Sequence, residues 1–260
     1  MKIQAVLAHA TPEQCIDVLN QQLQQIDCVY VDAIIDQAQL DGRQKRQLLK
    51  HPELRAHSVL LTDSAHADAA DMGPILLRYV ASTSSLELLI NSQFESKNLL
   101  VLVGTGDFFE LEARLKISLH AEWNKGVTKG VLRYYDPRVI TAVAHCLMPN
   151  CQEFLFGCAE TWYWIGRDQQ LMSLSESSGR VRHDLLAISL DEEQVQYLSA
   201  WHLAEVWRLD EALIPVDVGL QSQEEMMAKL VQAHLSADRA QLWQLEARRE
   251  HIYQQLKDLA

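Results

Sequence analysis

Arg133-Tyr134-Tyr135-Asp136-Pro137-Arg138 places two guanidinium groups and one carboxylate around a pair of aromatic rings. The chemistry on offer is ion pairing and cation–π contact, since arginine grips a carboxylate through two parallel N–H bonds and also lies over aromatic faces. Arg138 is expected in the first turn of a helix, where a cation opposes the helix dipole and needs an anionic partner. Two readings follow. The expected one is an internal arginine–carboxylate pair bracing a strand–helix corner, because buried arginines pair within their own fold; the other is a polar hook for a second protein.

Other reactive types are scattered. Cys15, Cys28, Cys146, Cys151 and Cys158 lie in apolar surroundings and read as reduced core residues, and the last three lack the tight pairing that zinc requires. His57, His66, His120, His145, His183 and His202 are available as bases for a cysteine nucleophile. His145 and Cys146, however, are neighbours on one helix, so their side chains diverge by about 100° and cannot work as a pair. Gly104-Thr105-Gly106 follows an apolar strand, but the third glycine of a dinucleotide turn is missing, Phe108 and Phe109 crowd the approach, and Asp107 would repel phosphate. No Walker loop, Gly-x-Ser-x-Gly elbow or His-Glu-x-x-His stretch occurs. The expectation is of no catalytic residue, no cofactor and no metal.

The elements that must position the arginine cluster alternate between strand and helix. Val131–Tyr135 is rich in β-formers, and Asp136-Pro137 has the composition of a cap followed by a first helical residue. The spacing of Val139, Ile140, Val143 and Leu147 then predicts a helix from Pro137 to about Met148. Upstream, Lys2–Leu7 is a short strand candidate. Thr11-Pro12-Glu13-Gln14 opens a helix with the stripe Ile16, Leu19, Leu23, Ile26. Strands are expected over Cys28–Ile35, His57–Asp63, Ile75–Val80 and Leu99–Val103, and helices over Arg43–Lys50, from Ser84 and from Asp107. Residues 168–186 are the linker candidate. Beyond them Asp191-Glu192-Glu193 opens a helix through Trp201 and Trp207, and Leu235, Leu242, Leu245, Ile252, Leu256 and Leu259 share one heptad frame. The fold class is therefore an α/β (mixed α+β) lobe with a mixed sheet over 1–186, followed by an all-helical lobe over 187–260.

With 260 residues, 48% hydrophobic and 22% charged, the chain has the composition of an ordinary globular protein. Its formal charge of −12 disfavours nucleic acid and anionic membrane, which need a basic face. Residues 187–260 hold 13 Asp and Glu against 6 Lys and Arg, a net −7 that suits solubility or a basic partner. No stretch approaches the roughly 18 apolar residues of a membrane span, and the interrupted apolar start makes a poor signal peptide. The cytoplasm is the expected compartment. Among the six tryptophans, Trp201, Trp207 and Trp243 are the candidate partner surface, because aromatics dominate interface hot spots.

Five pieces carry a resemblance to a known family: Ala33-Ile34-Ile35-Asp36-Gln37-Ala38, Gly73-Pro74-Ile75-Leu76, Arg133-Tyr134-Tyr135-Asp136-Pro137-Arg138, Phe154-Leu155-Phe156-Gly157 and Trp162 with Trp164. In this order, over about residues 28–165, they resemble DUF4123, the effector adaptors or chaperones of bacterial type VI secretion. Ala113 departs from the pattern, standing where the family places a histidine. The resemblance implies a non-enzymatic cytoplasmic adaptor of a Gram-negative bacterium. Its partners would be a cognate toxic effector and the spike (valine-glycine repeat) protein onto which the effector is loaded. It also implies that Phe154–Gly157 forms an aromatic strand. Two rival readings stand beside it: a hydrolase or transferase using Cys/His chemistry, and a structural module of a larger assembly.

Overall fold

Local rules set most of the helix starts. Thr11 and Gln14 close a reciprocal capping box, with Gln14 N donating to Thr11 Oγ1 at 3.3 Å and Thr11 N to Gln14 Oε1 at 3.1 Å. Asp41 with Gln44 and Asp191 with Gln194 repeat the device, and Asp107 accepts from the amides of Phe109 and Glu110. The computed structural model describes residues 1–61, 67–175 and 185–257, and the chain divides into two units, Met1–Ser189 and Leu190–Ala260.

The first unit runs β1 (Lys2–Leu7), α1 (Pro12–Gln25), β2 (Tyr30–Asp36), α2 (Gly42–Leu49), β3 (Leu54–Val59), β4 (Pro74–Val80), α3 (Thr83–Gln93) and β5 (Leu99–Val103). It continues through α4 (Phe108–Leu119), β6 (His120–Trp123), β7 (Thr128–Val131), α5 (Ile140–Cys146), α6 (Pro149–Phe156), β8 (Thr161–Ile165), β9 (Leu171–Ser175) and β10 (Ile188–Ser189). Seven strands form one sheet in the order β1-β9-β8-β5-β2-β4-β3, antiparallel at every pairing. Mixed pairing is confined to the small sheet, where β10 lies parallel and β7 antiparallel to β6. One face of the large sheet carries Val31, Ala33, Ile35, Leu77, Tyr79 and Val101 against Leu19 and Leu23 of α1 and Leu86 and Leu89 of α3. The unit is thus mixed α/β, as its alternating pattern predicts.

The second unit holds α7 (Glu192–Asp210), a 3-10 turn at Pro215–Val218, α8 (Gln223–Arg239) and α9 (Leu245–Lys257). Met226, Met227, Leu230, Val231, Ile252 and Leu256 are all buried. The heptad frame does not continue as one helix. Gln241 adopts a left-handed φ of 55°, the chain reverses, and Arg248 returns to within 2.6 Å of Asp238. The stripe is therefore shared by two packed helices, and Leu259 lies outside the described residues.

Several spans differ from their expected ones for tertiary reasons. The strand expected at Val131–Tyr135 is Thr128–Val131, because its antiparallel partner β6 begins at His120, opposite Val131. The helix expected over Pro137–Met148 is Ile140–Cys146, after which Leu147 and Met148 are extended. Pro149 explains the break: it disfavours helical geometry in the preceding residue and starts α6 as its first residue. Phe154–Gly157 is consequently the end of a helix and not a strand. The strand expected at His57–Asp63 lies at Leu54–Val59, positioned by its pairing along β4, while residues 62 and 63 are outside the described residues. The helix expected from Ser84 begins at Thr83, capped by Ser82. Within the expected linker, Leu171–Ser175 is a strand, and residues 176–184 are outside the described residues.

Candidate functional site

Side chains alternate along a strand, so β2 sends Val31, Ala33 and Ile35 into the α1/α3 layer and Asp32, Ile34 and Asp36 to the opposite face. Its two carboxylates are four residues and about 13 Å apart along the strand. Each is buried, at 0% and 5% exposure, so each needs a cationic or hydrogen-bonding partner. Two separate networks supply them.

At the Asp36 end stands the arginine corner. Beyond β7 the chain turns, with Asp136 N donating to Arg133 O at 3.1 Å and the amides of Val139 and Ile140 donating to Asp136 O. This brings Asp136, 4% exposed, under both arginines. Arg138 holds it by two parallel bonds, Nε to Oδ1 at 2.9 Å and Nη2 to Oδ2 at 2.8 Å, while Arg138 N donates to Oδ1 at 3.0 Å. Arg133 Nη2 lies 3.2 Å from Asp136 Oδ2 and 3.6 Å from Asp36 Oδ2, bridging the corner to β2. Arg167 Nη1 donates to the Arg138 carbonyl at 2.7 Å. Burial pushes the Asp36 carboxyl up, against the opposing pull of the Ala38 amide and of Arg133. The guanidinium of Arg133 also lies over the Tyr135 ring at 5.8 Å. Tyr134 is fully buried, donates to Leu115 O at 2.9 Å and packs edge-on against Trp162, whose indole N–H donates to Phe156 O at 3.0 Å. Arg133, Tyr134, Tyr135, Asp136 and Arg138 are thus brought together, and their polar groups are directed mainly at one another and at the fold.

The motif pieces upstream arrive at the same place. Asp36 caps a 3-10 turn through Ala38 N, and Gln37 bonds the Gly73 carbonyl with both its backbone and its side-chain amide. A Cβ at Gly73 would collide with the Leu61 side chain, so a larger residue there would have to displace Leu61.

At the Asp32 end is a second network that the motifs did not indicate. Arg78 sits directly opposite Asp32 on β4 and binds it in parallel fashion, Nε to Oδ1 at 2.8 Å and Nη2 to Oδ2 at 2.6 Å. Its Nη2 also donates to Thr105 Oγ1 and to Gly106 O, each at 3.0 Å, and the Thr105 hydroxyl donates to Asp32. The guanidinium lies 5.3 Å from the ring centroids of both Tyr30 and Phe108. The turn at Gly104-Thr105-Gly106 is therefore an anchor for a buried ion pair, with Gly104 at φ +76° packed against Glu160. A legible signal existed: Arg78 is the one charge in β4, and Asp32 interrupts the apolar run of β2.

The tryptophans are not a common surface. Trp201 is 7% exposed and Trp207 half-buried, whereas Trp243 is 73% exposed. The cysteines are all free thiols. Burial pushes Cys15 up to about 11 and Cys158 to about 12, and raises Cys28 and Cys151 as well, so none of these four is set up as a thiolate at neutral pH. His66 and His183 lie outside the described residues. Among the described residues no group of three His, Cys, Asp or Glu side chains stands close enough to hold a metal ion, and no helix is long and apolar enough to cross a membrane.

No curated protein and no solved structure matches the chain. A family comparison does match, over residues 32–153, a span that contains Asp32, Asp36, Gly73, Arg78 and the whole arginine corner. Residues 32–153 of this chain match the family described as Domain of unknown function (DUF4123).

Proposed function

We propose that this chain is a type VI secretion adaptor: it binds a cognate toxic effector in the cytoplasm and promotes loading of that effector onto the spike protein. The observation that supports this reading is the DUF4123 match over residues 32–153, a family generally linked to such adaptors. The geometry is consistent with it, since Asp36, Arg133, Asp136 and Arg138 are paired with one another as a brace. In this reading Arg133, Tyr134, Tyr135, Asp136 and Arg138 hold the scaffold, and recognition is left to exposed side chains elsewhere, Trp243 among them.

An adaptor of this kind acts by mass action. A partner that binds one effector conformation stabilises it by RT ln(1 + [L]/Kd), about 2.7 kcal/mol at a hundredfold excess over Kd. No covalent step is needed. The test is co-expression of the full chain with the products of adjacent reading frames that encode a spike protein and a large toxin, followed by size-exclusion chromatography. Co-elution with the toxin, and toxin-dependent recruitment of the spike protein, is the expected result. A chain that elutes alone and turns over small substrates refutes the proposal.

A further inference from the structure

We propose that the sheet end built from the start of β2 and the start of α4 is a docking surface for a basic, apolar-anchored segment of a protein partner. This deepens the adaptor reading and rests on it for the identity of the partner, though not for the physics of the surface.

The apolar part consists of Tyr30, 40% exposed, and Phe109, 75% exposed. Tyr30 and Phe109 belong to one patch through the residues between them. Arg78 is stacked between the Tyr30 and Phe108 rings, and Phe108 meets Phe109 edge to face at 6.0 Å. The patch is held rigidly from beneath. Arg78 is fixed by Asp32, Thr105 and Gly106, Phe108 is buried, and Phe109 N is tied to Asp107 Oδ1 at 2.9 Å. A large ring presented by a rigid backbone loses little freedom when a partner covers it, which is the property of interface anchors.

Charge selects the occupant. Asp27, Asp107, Glu110 and Glu160 are all exposed around these rings. Asp107 and Glu110 flank Phe109 on α4, Glu160 lies against Gly104, and Asp27 adjoins Cys28 and Val29. Arg78 and Arg114 do not offset these carboxylates at the surface, because both turn inward. Arg114 donates to the carbonyls of Glu153 and Phe154 at the end of α6, and Arg78 to the Asp32 network. The complementary partner therefore carries apolar side chains flanked by lysine or arginine. An acidic segment would meet like charge on every side.

Fluorescence anisotropy on the full chain tests this with two labelled amphipathic peptides of identical apolar face, one flanked by lysines and one by glutamates. The lysine peptide should bind, with affinity that falls as salt rises, and the glutamate peptide should not. Phe109→Ala should weaken the lysine peptide by about tenfold, the scale of an interface anchor. Its ring is exposed, so folding should be untouched, as circular dichroism will show. The double reversal Glu110→Lys/Glu160→Lys should also weaken the lysine peptide and admit the glutamate peptide. Equal binding of both peptides, binding of neither, or Phe109→Ala within about twofold of wild type overturns the assignment. The adaptor reading fails separately. If these variants lose peptide binding but no effector ever co-elutes, the surface stands and the adaptor reading falls; if an effector still co-elutes with the variants at full yield, the surface falls alone.

Discussion

Removing the Asp32 carboxylate should destabilise the first unit far more than removing the Arg133 guanidinium, although both belong to arginine–aspartate pairs. Asp32 is 0% and Arg78 7% exposed, and the pair shares two short parallel bonds. In Asp32→Ala the guanidinium remains buried between Tyr30 and Phe108 with Thr105 Oγ1 and Gly106 O as acceptors, and the Thr105 hydroxyl loses its own acceptor. Stranding one partner of a buried pair costs about 3–5 kcal/mol; the two remaining acceptors place this case near about 3. Arg133 is 47% exposed along its side chain, and water can replace much of what it loses. Asp136 would keep all three of its bonds to Arg138, and Asp36 would lose only a 3.6 Å contact while keeping the Ala38 amide, so Arg133→Ala should cost about 1 kcal/mol. Urea denaturation of the full chain, read by tryptophan fluorescence and circular dichroism, measures both. The double variant Asp32→Leu/Arg78→Met should recover most of the loss, since an apolar pair of similar volume avoids the stranded charge. If Asp32→Ala unfolds within about 1 kcal/mol of wild type, or if Arg133→Ala matches it, then burial is not what separates the two networks.

Two further outcomes follow from the geometry. Arg138→Ala should cost about 1–2 kcal/mol, more than Arg133→Ala, and Arg138→Lys should restore little of it, because an ammonium cannot make two parallel bonds; a lysine variant with a wild-type urea midpoint would contradict the bidentate account. The second concerns pH. His234 is 1% exposed, and burial, reinforced by Arg248 at 3.0 Å from Nδ1, lowers it from 6.5 to about 4. The unfolded chain therefore binds the extra proton first, and the second unit should lose stability as pH falls from 6.5 towards about 4, by roughly 1.4 kcal/mol per pH unit within that window. Hydrogen exchange of α8 amides across this range should show the loss, and His234→Leu should flatten the slope even if its absolute stability is lower. An unchanged slope in that variant would assign the pH dependence to other groups.

Much of the fold could be read from the sequence because it is written locally. Thr11 with Gln14, Asp107 before Phe108, and Asp191 with Gln194 announce helix starts whose hydrogen bonds lie within three residues. Errors gather where a distant partner decides. Val131–Tyr135 has strand composition, yet the strand ends at Val131 because β6 begins at His120, directly out of α4, so that Leu132 meets only the last helical carbonyl, Leu119 O. Phe154–Gly157 is aromatic enough for a strand, but Pro149 launches a helix through it and Arg114, 40 residues upstream of Phe154, holds its final carbonyls. The corner was recognised as an arginine–carboxylate cluster from its six residues, whereas its attachment to Asp36 crosses about a hundred residues and has no local mark. Arg78 was visible as the one charge in β4 and Asp32 as a break in the apolar run of β2, but their facing register depends on a strand pairing that the composition of β2 and β4 does not encode.

That register gives the two carboxylates of β2 a common physical role. Alternation is strict, so a slip of β2 by one residue would send Asp32 and Asp36 into the layer that holds Leu19, Leu86 and Leu89, and would turn Val31, Ala33 and Ile35 to the other side. An apolar strand with residues such as Ile34 and Ile35 side by side discriminates weakly between its two faces. Two buried acids discriminate strongly, because only one register delivers each to its arginine, Asp32 to Arg78 across β4 and Asp36 to Arg133 beyond β7. Neither pair need add net stability over an apolar alternative for this to hold. What they add is a penalty on the wrong pairing. The two ends of one strand face are thereby fixed independently, so that the exposed rings at the Tyr30 end rest on a framework whose geometry does not depend on the arginine corner at the other.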